Sequence, residues 1–124
     1  METTPRIFPP LPQYEHLNFT ELVGCLGNDS PQVRASALAA LGNGPLPQGF
    51  APITTAIHDE RNRKTPWFGF ITVSWVGVVV LLETGDARAL ELAREAVNEW
   101  PSDERRHLIS WLKDFPAYAQ ALAA

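Results

Sequence analysis

The run Thr65-Pro66-Trp67-Phe68-Gly69-Phe70-Ile71-Thr72-Val73-Ser74-Trp75-Val76-Gly77-Val78-Val79-Val80-Leu81-Leu82 is the most apolar stretch of the chain. Thr65 suits a helix N-cap and Pro66 its first turn, where a missing N–H costs nothing. Gly85 suits a left-handed C-terminal turn. The pattern predicts one helix over 65–82, apolar on nearly every side and therefore packed on several sides by neighbours. Residues 67–82 number 16, short of the roughly 20 a membrane-spanning helix needs. The frequent Val and Ile also admit a buried strand locally, but strands usually run only about 4–8 residues, so length argues for helix.

At 124 residues the chain is long enough for one domain with a real core. Fourteen acidic against ten basic side chains give a net charge of −4. That opposes generic binding to nucleic acid or anionic lipid, both of which reward positive charge. Cys25 is the only cysteine, so no intrachain disulfide forms, as suits a reducing compartment. The N-terminal segment lacks the basic start and apolar run of a secretory signal, and the expected location is cytoplasmic.

Residues 1–17 carry Pro5, Pro9, Pro10 and Pro12, a density that opposes helix and predicts an extended arm. Its Ile7, Phe8, Leu11 and Tyr14 are expected to lie across the first helices. Residues 18–124 read as one helical domain. Asn18 with Glu21 forms a capping-box pattern for a helix reaching Gly27. Ser30-Pro31 opens a second, which ends at Gly42. A Gly- and Pro-rich loop over 43–50 precedes a short helix over 51–58, and 59–64 read as a charged connector. After Gly85, Asp86 caps a helix over 87–99. Further helices are expected over 103–113 and from Pro116.

Ser30-Pro31, Thr65-Pro66 and Trp100-Pro101 recur every 35 residues, each ahead of an apolar helix. Three helix pairs at one period mark a stacked helical repeat, in which no pair buries its apolar face alone. Residues 26–42, Leu-Gly-Asn-Asp-Ser-Pro-Gln-Val-Arg-Ala-Ser-Ala-Leu-Ala-Ala-Leu-Gly, resemble a HEAT repeat of the phycobilisome-lyase-like type, and Gly85-Asp86-Ala87-Arg88-Ala89-Leu90 resembles the opening of another. The third unit has Trp100 in place of the turn Asp, and the middle unit has Gly69 in the Arg position. The resemblance covers about residues 18–112 and implies an all-α fold, a short α-solenoid of about three helix pairs with a curved binding face. An irregular helical bundle is the alternative. It also implies inter-repeat hydrogen-bonding roles for Asp29, Arg34 and Arg105.

No catalytic constellation is visible. His58, Asp59 and Glu60 are adjacent, and neighbours on a helix point about 100° apart, so they do not converge on one ion. His16 and His107 are isolated, and no metal or cofactor is expected. Cys25 lies in an apolar helix with nothing nearby in sequence to activate it. Candidate protein-binding residues are Arg61, Arg63, Lys64 and Trp67, a basic patch beside an aromatic, and Glu91, Glu95 and Glu99, a stripe on one helix face. Either set also reads as solvated surface. The expectation is a non-enzymatic protein-binding module of HEAT type, such as a bacterial adaptor or an immunity or inhibitor protein. One alternative implied by the resemblance is a bilin-binding chaperone or lyase-related protein, with its cradle among Trp67, Trp75, Arg34 and Arg105. A DNA-binding HEAT-like protein is a weaker one, since Lys64 and Lys113 are the only lysines.

Overall fold

A computed structural model describes residues 6–44 and 47–123. The first five residues, with Pro5 of the expected arm, residues 45–46 of the Gly/Pro loop, and Ala124 lie outside the described residues. The elements are α1 (Phe19–Cys25), α2 (Pro31–Gly42), α3 (Phe50–His58), α4 (Glu60–Lys64), β1 (Pro66–Phe68), β2 (Ile71–Thr72), α5 (Val73–Glu83), α6 (Ala87–Asn98), α7 (Ser102–Trp111) and α8 (Pro116–Ala123). The architecture is predominantly helical, and among the described residues no helix is long and apolar enough to cross a membrane.

Local chemistry sets most helix starts. The Asn18 side chain accepts from Glu21 N–H (2.8 Å) while the Glu21 carboxylate accepts from Asn18 N–H (2.9 Å), the reciprocal pair of a capping box. Ser30 caps α2 through Val33 N–H, and Asp86 caps α6 through Arg88 and Ala89 N–H. Gly85 takes φ +72° just past α5, where an L side chain would be strained.

The helix expected over 65–82 is corrected. Only Val73–Glu83 is helical, and its cap is Thr72, whose Oγ1 accepts from Trp75 N–H. Residues 66–72 instead form a β-hairpin, with Phe68 opposite Ile71. Gly69 takes φ +58° as the first residue of the two-residue loop, the place where a II′ turn demands glycine. Thr65 ends α4 rather than starting α5, and its hydroxyl donates to the Arg61 carbonyl (2.6 Å). The connector over 59–64 is likewise corrected: Asp59 caps the one-turn helix α4. In the arm, Pro12–Tyr14 close a 3-10 turn, since proline fits the first position of a helical turn.

Within α5 every residue from Val73 to Leu82 is buried. Its neighbours are α2, α3 and α6, with α8 closing the end against α5, α6 and α7. Small residues bring the axes close. A Cβ on Gly77 would sit 2.6 Å from Ile57 Cγ1, and one on Gly42 would overlap Val80. The Ser74 hydroxyl, fully buried, donates to the Ile57 carbonyl (2.8 Å) and so adds a polar tie between α5 and α3.

Candidate functional site

Successive strand residues point to opposite faces. In β1 this turns Trp67 inward and leaves Phe68 exposed. Phe68 is 71% exposed and Phe70, across Gly69, is 54% exposed, the two most exposed large apolar side chains described. Isolated apolar residues at a surface need no explanation, but two aromatic rings on one turn form a patch.

The turn is fastened on both sides. Phe70 stacks on His107 of α7 at 4.5 Å and meets the edge of Trp75 at 5.7 Å. Trp67 donates its indole N–H to Gln32 of α2 (2.8 Å) and packs edge-on against Phe8 of the arm at 5.3 Å. Phe8 stacks on Trp111, Trp111 contacts Trp75, and Trp75 contacts His107. The aromatic contacts thus leave the hairpin at Trp67 and return to it at Phe70.

Beneath the turn, Arg63 makes a bidentate pair with Glu104 at 2.7 Å, and the buried Trp75 donates its indole N–H to the same carboxylate (2.9 Å). The Arg63 guanidinium also lies 4.0 Å from the Trp100 ring centre, in cation–π contact. The hydrogen bonds from Arg63, and then from Trp75, hold the Glu104 carboxyl below its ordinary range against the opposing effect of burial.

The residues singled out in the sequence do not assemble into one site. Arg61 pairs with Asp29 (3.0 Å), Arg63 with Glu104, and Lys64 with Glu60 (2.7 Å), so each expected basic-patch cation faces a carboxylate. Glu91 and Glu95 are engaged by Arg88, and Glu99 lies 3.4 Å from His58. Arg34 is only 2% exposed. Its Nε donates to Asn62 Oδ1 (2.8 Å), and its Nη1 to the carbonyls of Asn28 (2.8 Å) and Asp29 (3.0 Å). Burial, then the nearby Arg61 charge, lowers the Arg34 pKa, while Asp59 and Asp29 act to raise it. Arg105 donates to the Leu122 carbonyl at the end of α8 (3.2 Å), and its buried Nε has no partner among the described residues. Arg34 and Arg105 therefore share no partner. Among the described residues no group of three or more His, Cys, Asp or Glu side chains is arranged to hold a metal ion.

The arm completes the surroundings. Glu83 Oε2 accepts from the backbone N–H of both Ile7 and Phe8, the latter at 3.0 Å. Desolvation raises the Glu83 pKa above its ordinary value, against the amides and the Arg6 charge. Between the arm and α2 lies a mainly apolar open groove of about 180 Å³, lined by Ile7, Phe8 and Leu11 of the arm, Ala35, Ser36 and Ala39 of α2, and Trp67.

Sequence reasoning passed over Phe68, Phe70, Gln32, Glu104 and the roles of His107 and Phe8. One local signal pointed to the turn, namely glycine between two phenylalanines. The chain matches no family model, no curated protein and no solved structure.

Proposed function

We propose that the chain is a non-enzymatic protein-binding module that engages its partner with the turn Phe68-Gly69-Phe70. One observation carries this reading: two large aromatic rings stand exposed on a turn that is itself tied to α2, α7 and the arm. A turn held in place before binding loses little conformational freedom on docking, and aromatic side chains seated in pockets dominate interface energetics. The two rings expose roughly 250 Å², taking about 200 Å² for a whole Phe. That is about a third of the roughly 800 Å² each partner gives to a standard interface. The partner is therefore expected to be concave and apolar where it meets the turn, with flanking contacts beyond it.

A short HEAT-like stack is the architecture proposed for the scaffold. Its support is the pairing of α1 with α2, α3 with α5, and α6 with α7, and the contacts of α2 with α5 and of α3 with α6. An adaptor or an immunity or inhibitor protein fits such a module, and the net charge of −4 favours a basic partner.

Affinity capture from a lysate of the source cells, with wild-type and Phe68→Ser/Phe70→Ser baits, tests the reading. A stoichiometric protein retained by the wild type and lost by the double variant supports it. Equal retention by both baits places the interface elsewhere and refutes the turn.

A further inference from the structure

We infer that the arm is a ligand bound in cis: Glu83, Trp67 and Trp111 form a peptide site that takes an extended segment presenting two successive backbone amides and an aromatic side chain. The arm lies at the surface rather than in the core. None of residues 6–17 is fully buried, whereas every residue of α5 from Val73 to Leu82 is. The arm also leaves an open space of about 180 Å³ between itself and α2. A segment that belonged to the core would close that space to native packing density. The site does not depend on the docking role of Phe68-Gly69-Phe70.

Glu83 is costly where it stands. It is the last residue of α5, the end at which the helix dipole disfavours an anion, and desolvation opposes its charge as well. Its Oε2 accepts from the backbone N–H groups of both Ile7 and Phe8. Successive amides that converge on one oxygen are a chain's usual means of capturing an anion. Here the anion is fixed and the chain is what is captured. Such donors are read whatever the side chains, but only in a segment whose amides are not already used in a helix or sheet. Pro9 and Pro10 follow Phe8. They carry no N–H to leave unpaired, and they bias Phe8 and Pro9 to extended backbone.

The side-chain half of the site reads a ring. Phe8 meets Trp67 edge-on at 5.3 Å and stacks on Trp111 at 6.2 Å. Both indoles are held from outside the arm: Trp67 by Gln32 (2.8 Å), and Trp111 by the Trp75 ring at 6.1 Å. The slot between them is therefore built by the scaffold and not by its occupant. Main-chain bonds supply affinity in this mode of recognition, and the side-chain slot supplies selectivity. The tether gives the chain's own arm an effective concentration in about the millimolar range. A free segment of the same kind reaches the site once the arm is weakened, or when it binds more tightly than the arm.

The test uses the full chain and, as probe, a synthetic peptide of residues 6–14. Phe8→Ala in the chain removes the ring of the tethered arm and leaves the helices intact. Titration of this variant with the peptide is expected to give saturable NMR shifts at the Trp67 and Trp111 indoles. The wild type, whose own arm competes, should bind the peptide at least about tenfold more weakly. A Phe8→Ala peptide should bind the variant at least about tenfold more weakly, as should a peptide N-methylated at Phe8, which cannot donate to Glu83. Absence of saturable shifts in the variant overturns the peptide site. So does equal binding by variant and wild type, or by either altered peptide. Amide hydrogen exchange in the wild type is a second measurement, independent of the variant's folding. The Ile7 and Phe8 amides should exchange through an opening that leaves α5 closed, at least about tenfold faster than the α5 amides. Exchange of the arm only together with α5 makes it part of the core and refutes a replaceable ligand.

Discussion

The Phe70 ring lies on the His107 imidazole, centres 4.5 Å apart and planes 23° from parallel. The contact joins the hairpin turn to α7, and it separates the two exposed phenylalanines by role. Phe70 holds the turn to the scaffold. Phe68 contacts little beyond Trp67 among the described rings.

Phe70→Ala is accordingly expected to lower unfolding free energy by about 1–2 kcal/mol, through lost ring contacts and area. Phe68→Ser should stay within about 0.5 kcal/mol, as for an exposed position whose one ring contact is with its neighbour Trp67. Urea unfolding of both variants checks this. Equal losses would mean that the turn is not fastened through His107.

Arg34→Ala should cost about 3 kcal/mol or more, because it removes a buried guanidinium and strands Asn62 Oδ1 and two carbonyls. Asn62 also donates to the Ala56 carbonyl (2.9 Å), which otherwise keeps only the Asp59 N–H (3.3 Å), so the network reaches the end of α3. A double-mutant cycle of Arg34→Ala with Asn62→Ala should show coupling of roughly 1 kcal/mol or more. Simple additivity would break the proposed network.

Two carboxylates respond oppositely to pH. The Glu83 pKa is raised, so its contribution to stability is fully present below its unfolded value and is lost as pH rises through the folded one. The Glu104 pKa is lowered, so its contribution is present above the unfolded value and is lost as pH falls through the folded one. Glu83→Gln keeps an acceptor for Ile7 and Phe8 N–H without the buried charge. It should gain stability relative to wild type as pH climbs from about 4 to 7. Glu104→Gln should lose relative stability over a lower climb, as pH rises from about 2 to 5. Thermal midpoints across both ranges, measured for all three proteins, decide the signs.

Gly77→Ala places a Cβ 2.6 Å from Ile57 Cγ1, where α5 packs on α3. Overpacking there should cost about 1–3 kcal/mol despite the better helix propensity of alanine. Ile57→Ala alone opens a cavity worth about 2–5 kcal/mol. The double variant should fall well short of the sum, since the new methyl occupies part of the vacated space.

The two threonines test where α5 begins. Thr72→Ala removes a cap and should cost about 1 kcal/mol. Thr65→Ala removes a hydroxyl bond at the end of α4, and should cost less in a half-exposed position. Reversed magnitudes would restore the longer helix.

The residue order alone determined the caps at Asn18, Ser30 and Asp86 and the complete burial of residues 73–82. These depend on groups within a turn of one another, or on a run of apolar side chains that water excludes wherever the fold puts it. The break at Gly69 was locally encoded too, but it was masked by apolar residues that suit helix and strand alike. Tertiary structure alone decided which charges meet: Arg61 with Asp29, Arg63 with Glu104, and the Ile7 and Phe8 amides with Glu83. It also decided that Phe70 would find His107 while Phe68 found little. Those pairings join residues far apart in the chain, and no local preference selects one distant partner over another until packing has brought the helices together.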